Sequence, residues 1–201
     1  MLVRYADDLV VMCRTRREAE NALRALEAIL AELRLEPKQA KTRIVHLREG
    51  GEGLDFLGFQ HRLVRSRNPR SRHVTFLARW PSREATQRAR DRIRELTLRK
   101  RLRDPVEEVV QDINRYLRGW GGYFRYGHSA LHFNRTSNYA FKRLALFVAK
   151  RHQRKAGYGL SVVAYWSPDR LGLISLNGTV VSPRANKPWR VKPNAGGERR
   201  R

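Results

Sequence analysis

Asp7 and Asp8 stand side by side between two short apolar runs, Leu2 to Tyr5 and Leu9 to Cys13, near the start of a chain of 201 residues. Adjacent carboxylates repel each other unless a cation sits between them, and hard oxygen donors of this kind suit Mg²⁺. Two such ions, about 4 Å apart, can activate an attacking hydroxyl and stabilise the leaving oxygen of a phosphoryl transfer. The apolar runs predict two strands with the acids at the turn between them, which makes a hairpin carrying two carboxylates at its tip. Asp is also a common turn residue, so the four residues Tyr5-Ala6-Asp7-Asp8 taken alone leave a plain Asp-rich turn as the competing reading.

A second group of residues suits nucleic acid. Between Ile113 and Tyr126, aromatic residues interleave with arginines: Arg115, Arg118, Trp120, Tyr123, Phe124 and Arg125. Exposed aromatic faces stack on unpaired bases while Arg pairs with phosphate. The alternative for Trp120 and Phe124 is an aromatic plug between helices, which leaves Arg115, Arg118 and Arg125 as the better contacts. Farther on, Lys142, Arg143, Lys150 and Arg151 occupy the faces of a predicted helix not taken by its apolar residues. Residues 65 to 72 are a basic loop that reads either as solvated surface or as a grip on a phosphate backbone. Lys plus Arg number 43 against 19 Asp plus Glu, a net charge of +24, which points to a polyanionic partner. Arg supplies 35 of those cations and forks onto phosphate and stacks on bases better than Lys, although a GC-rich genome gives the same bias.

Other chemistries find less support. The one cysteine, Cys13, excludes an intrachain disulfide and any zinc site built from cysteine pairs. His128, His132 and His152 have no acidic or histidine partner at ligand spacing and read as ordinary structure or RNA contacts. Asp7 and Asp8 interrupt the first apolar run, which argues against a signal peptide, and no stretch approaches the ~20 apolar residues of a membrane span. A cytoplasmic, nucleoid-associated location is expected.

The elements that must position these residues follow from periodicity. Thr15 with Glu18 forms a capping box ahead of an amphipathic helix over 16–34, stopped by Pro37. Lys41 to Leu47 reads as a strand, Gly50 to Gly53 as a turn, Leu54 to Phe59 as the returning strand, and Val74 to Leu77 as one more. From a boundary near Pro81 the chain turns helical. Ser82 caps a helix over 83–100, and Asp104 caps another with Pro105 at its first position. Val106, Val109, Val110, Ile113 and Leu117 form its buried face, and Gly119, Gly121 and Gly122 are expected to break it. A helix over 138–153 follows. Leu160 to Trp166 reads as a strand, Leu173 to Val181 as a small hairpin turning at Asn177-Gly178, and the residues from Pro183 on as a flexible basic tail.

Tyr-Ala-Asp-Asp between apolar strands resembles the palm active-site hairpin of reverse transcriptases. The helix, the Lys41-Thr42 segment and the Phe56-Leu57-Gly58-Phe59 segment after it resemble, in the same order, those of group II intron reverse transcriptases. Arg34, where Gly is often seen, and the long connection at Gln39-Ala40 depart from that pattern. Leu117-Arg118-Gly119-Trp120 followed by Tyr123-Phe124-Arg125 is similar to the maturase-specific motif of group II intron proteins, which retroviral and retron enzymes lack. The resemblance covers roughly residues 2 to 182.

This resemblance implies an α+β chain: the C-terminal part of a palm over 1–80, a mainly helical thumb-like maturase domain over 81–182 and a tail over 183–201. It implies Asp7 and Asp8 as catalytic metal ligands for Mg²⁺, with Tyr5, Ala6 and Lys41 at the active-site floor. The implied partners are group II intron RNA and an RNA template with a DNA primer. A reverse-transcriptase palm also draws a third Asp and its fingers from upstream of this hairpin. The chain is therefore expected to be either part of a polymerase completed by an N-terminal segment or a second copy, or a stand-alone RNA-binding splicing factor or degenerate remnant without polymerase activity. Cys13 alone cannot furnish the zinc-bearing endonuclease domain of many relatives.

Overall fold

The computed structural model describes residues 1–66, 69–165 and 172–181, and the fold is α+β, as expected. The apolar runs flanking the Asp pair form β1 (Leu2–Tyr5) and β2 (Asp8–Val11), an antiparallel hairpin with Tyr5 opposite Asp8. Helix α1 (Arg16–Glu32) follows. The Thr15 hydroxyl accepts from the Glu18 N–H at 3.2 Å, while the Glu18 carboxylate reaches back to the N–H of Arg14 rather than that of Thr15. Arg34, where a glycine would be at ease, takes a positive φ of 56° as the helix ends.

The strand predicted over Lys41–Leu47 does not form: Lys41 and Thr42 turn back onto the Lys38 carbonyl and residues 43–47 run without a ladder. Their apolar residues favour extension, but no described strand offers the hydrogen bonds a strand needs. The stretch predicted as one strand from Leu54 to Phe59 is instead a tight hairpin. Strands β3 (Leu54–Phe56) and β4 (Phe59–Arg65) flank Leu57 and Gly58, whose φ values of 50° and 74° are those of a type I′ turn. Strand β5 (Thr75–Pro81), longer than predicted, pairs with β4 from Phe59 opposite Pro81 to Arg65 opposite Thr75.

Four helices build the core. In α2 (Arg83–Leu96) the Ser82 hydroxyl accepts from the Ala85 N–H at 3.1 Å, and Ala85, Ala89, Ile93 and Leu96 form the buried stripe. The helix stops short of residue 100 because Thr97 folds its hydroxyl onto the Ile93 carbonyl, and a single tight turn over Arg99–Arg101 follows. Helix α3 (Val106–Phe124) starts after Pro105 without the predicted Asp104 cap, since that carboxylate pairs with Arg101 at 2.6 Å.

The predicted break at Gly119, Gly121 and Gly122 is also absent: α3 runs through all three. Glycine costs a helix about 1 kcal/mol relative to Ala, too little to end one whose other face is buried. Gly121 has a packing reason, because a Cβ there would lie 2.7 Å from Leu176 Cδ2.

Helix α4 (Ala130–Arg151) begins two turns earlier than predicted, with Phe133, Thr136 and Ser137 buried in those turns. Predicted as a strand, Leu160–Tyr165 belongs instead to helix α5 (Ala156–Tyr165). Gly159 brings α5 so close to α4 that a Cβ there would fall within 1.9 Å of the Ala145 carbonyl oxygen, and this packing overrides the β preference of Val162 and Val163. Residues 172–181 turn at Asn177-Gly178 as expected but form no hairpin ladder. They lie across the helices as a strap, held by Asn114 to Gly172 and Ile174, by Ser137 to Leu176 and by the Arg125 carbonyl to Val181. Trp166 and the basic tail from Pro183 lie outside the described residues.

Candidate functional site

Ala6 and Asp7 form the turn of the first hairpin, with a φ of 51° at Ala6 alone, the pattern of a type II′ turn. Arg4 Nε donates to the Ala6 carbonyl at 2.9 Å and fixes the turn from below. Asp7 and Asp8 are both exposed. Neither carboxylate has an ion pair among the described residues. Two uncompensated hard donors at a rigid tip suit part of a Mg²⁺ site, and completing it requires a further ligand, since no group of three potential ligands occurs among the described residues. Tyr5 lies beside the pair and is exposed, while Lys41 sits on the turn after Pro37 and makes no ion pair with either Asp among the described residues.

The other candidate residues divide by what they touch. Arg115, Arg118 and Arg125 are exposed on α3 and its C-terminal end. At 100° per residue their spacing of three and seven puts them on one stripe together with Gly122. Trp120 is buried, packed against Phe124 and Phe133 at centroid distances of 5.0 and 5.5 Å, as the plug reading requires. Tyr123 is exposed and donates its hydroxyl to the Leu57 carbonyl at 2.8 Å, tying α3 to the β3–β4 turn. On α4, Lys142 and Lys150 point outward, two turns apart.

Their neighbours are engaged in the fold. The Arg143 guanidinium donates to the hydroxyl and carbonyl of Thr97, and that of Arg151 to the carbonyls of Leu102 and Asp104, so both close the end of α2 and the connection to α3. In the basic loop, Arg65 forms a two-pronged pair with Glu49 at 2.7 and 2.8 Å.

The histidines are structural on this geometry. His128 accepts the Arg79 N–H at its Nδ1, and His132 stacks on Trp80 with the rings 16° apart. Burial lowers the pKa of both and of His61; the charge of Arg79 adds to the effect at His61 and that of Arg135 at His132, whereas at His128 the hydrogen bond from the Arg79 N–H partly opposes it.

One feature had no single signal in the sequence. The β3–β4 turn, α2 and α3 border an open cleft of about 580 Å³ lined by Leu57, Gly58, Arg88, Arg92, Tyr116 and Trp120. Arg88 and Arg92 read as ordinary exposed helix positions, and only the placement of α2 against α3 brings them to the same cleft as Tyr116. Burial raises the Tyr116 pKa, and the charges of Arg92 and Arg88 partly offset it.

Residues 1–61 match the family described as reverse transcriptase (RNA-dependent DNA polymerase), and residues 86–166 match the group II intron, maturase-specific domain. No individual curated protein gives a significant match. No helix among the described residues is long and apolar enough to cross a membrane. With the Asp-tipped hairpin in the first match and the Arg-striped helix α3 in the second, the chain belongs to the group II intron reverse transcriptases/maturases and corresponds to their C-terminal part.

Proposed function

We propose that this chain binds intron RNA through its helical region, assists splicing, and contributes Asp7 and Asp8 to the metal site of RNA-directed DNA synthesis. The observation that carries the catalytic part is the hairpin tip, where two adjacent carboxylates stand exposed with no cationic partner among the described residues. Mg²⁺ held there would stabilise the charge that develops during phosphoryl transfer. The chain's own contribution is positional: the β1–β2 ladder and the Arg4 bond fix the two carboxylates, and Tyr5 and Ala6 form the floor beside them, with Lys41 assigned to the same region by family resemblance. A third carboxylate from a reverse-transcriptase segment outside this sequence would complete the site, so the partners are that segment, an RNA template with a DNA primer, and the intron RNA. A cytoplasmic location goes with this reading.

RNA binding rests on the exposed arginines of α3 and lysines of α4 in a chain of net charge +24. The test is primer extension by the chain supplied with a segment carrying fingers and the remaining palm. Asp7→Ala/Asp8→Ala should abolish extension and leave RNA affinity within about twofold. Extension by the complemented double variant would overturn the metal assignment.

A second reading has its own support. All the buried apolar side chains of the described residues lie from Ala78 onward, whereas α1 buries none. A chain whose core is confined to the RNA-binding region is what a splicing factor without polymerase activity requires. Failure of the wild-type chain to extend a primer with any complementing segment, alongside retained RNA binding, would favour it.

A further inference from the structure

We propose that the cleft between α2, α3 and the β3–β4 turn holds one unstacked nucleotide of a bound RNA strand, its base among Tyr116, Trp120 and Tyr123 and its flanking phosphates on Arg88 and Arg92. The inference rests on the RNA-binding reading and adds to it a defined subsite with three residues that reading does not use: Arg88, Arg92 and Tyr116.

Tyr116, Trp120 and Tyr123 follow each other at helical spacing and line the cleft along one side. At 100° per residue this aromatic face is centred about 150° around α3 from the stripe of Arg115, Arg118 and Arg125, so the cleft is a contact separate from that stripe and draws its cations from α2. The opposite wall is α2, which places Arg88 and Arg92 one turn apart, about 6 Å along the axis, roughly the spacing of successive phosphates on a strand. Among the described residues both guanidiniums pair with exposed glutamates of their own helix, Glu84 at 2.7 Å and Glu95 at 2.9 Å. Exposed pairs of this type contribute little and give way readily to phosphate.

The floor has the character of a base site. Gly58 presents backbone in place of a side chain, Leu57 is held by Tyr123, and the lining is largely apolar. The cleft, about 580 Å³, is open to solvent, so a base would lie against its aromatic side with one face exposed. Aromatic walls with Arg at the rim select a planar base joined to phosphate over an apolar peptide, which has no use for the two guanidiniums.

The experiment uses the full chain and a ten-nucleotide single-stranded RNA of 5-iodouridine, cross-linked by light and mapped by mass spectrometry, with affinity measured in parallel by fluorescence anisotropy. The expected result is a cross-link to Tyr116, Trp120 or Tyr123. Tyr116→Leu, which keeps the apolar volume, should remove most of that cross-link and weaken binding roughly tenfold. Arg88→Gln/Arg92→Gln, both exposed and safe for folding, should remove it as well, whereas the charge-matched control Arg16→Gln/Arg17→Gln should retain it. Binding with unchanged affinity and cross-links only outside the cleft overturns the subsite and leaves the RNA-binding reading standing. Equal loss of the cross-link in the control pair also overturns it, because charge alone would then explain the contact. Absence of any RNA binding by the wild-type chain overturns both.

Discussion

Single residues show how the same chemistry is put to different uses within one helix. Arg143 and Lys142 are neighbours on α4, yet only Arg143 reaches the hydroxyl and carbonyl of Thr97. Arg143→Met should therefore lower stability by roughly 1–2 kcal/mol, the scale of a charged hydrogen bond, while Lys142→Met should leave it within about 0.5 kcal/mol. Urea unfolding of both variants checks this. Glycines divide in the same way. Gly119 and Gly122 are exposed with nothing within 4 Å of a Cβ, so alanine at either should stabilise α3 by about 0.5–1 kcal/mol. At Gly159 a Cβ would meet the Ala145 backbone oxygen, and Gly159→Ala should instead cost roughly 1–3 kcal/mol by forcing α5 away from α4. If Gly159→Ala raised the urea midpoint, the close packing of α5 on α4 would be wrong.

Among the elements, the seam between the β4–β5 ladder and the helices carries the titratable groups. His61 lies on β4, His128 just before α4 and His132 in its first turn, where they contact Phe59, Phe76 and Trp80 respectively. Burial lowers all three pKa values in the fold, so the unfolded chain binds more protons just below its ordinary histidine pKa of about 6.5. Stability is then fully present above that value and falls as the pH drops from about 6.5 toward the lowered folded pKa values. Thermal unfolding between pH 7.5 and 5 should show this decline, and His132→Gln should reduce its slope. A melting temperature that rises on acidification would contradict the seam.

For the molecule as a whole, the distribution of burial divides the chain. Residues 1–47 form a hairpin and a helix with none of their side chains fully buried, and Ile29 on α1 and Leu33 just after it are among the exposed apolar residues. Such surface marks an interaction site, and in the family's terms the rest of a palm would cover it. Limited proteolysis should cut first within residues 1–47, and a fragment spanning the region from Ala78 should survive longest. Early cleavage within α3 or α4 would count against this division. The charge makes a second prediction at this scale. With many phosphate contacts, the logarithm of RNA affinity should fall steeply and linearly with the logarithm of salt concentration, by about 0.7 per neutralised phosphate of a single strand. A flat response would count against the basic helices as the RNA surface.

The sequence by itself determined the elements whose cause is local. The Asp-tipped hairpin, the Thr15 and Ser82 caps, the buried stripe of α2 and the family follow from short-range pattern and turn chemistry. It also made the buried position of Trp120 one of two open readings. What it could not decide depended on partners distant in the chain. Lys41–Leu47 is not a strand because no strand among the described residues pairs with it. Helix α3 survives its glycines because its other face is buried, with Leu176 packed against Gly121. Leu160–Tyr165 is helical because Gly159 lets α5 meet α4. Arg143 and Arg151, equal to Lys142 and Lys150 in the sequence, turn inward because the end of α2 and the connection to α3 place the acceptors Thr97, Leu102 and Asp104 within their reach. Local preferences amount to about 1 kcal/mol per residue, and burying a single large apolar side chain contributes more, so wherever the two conflict the tertiary structure decides.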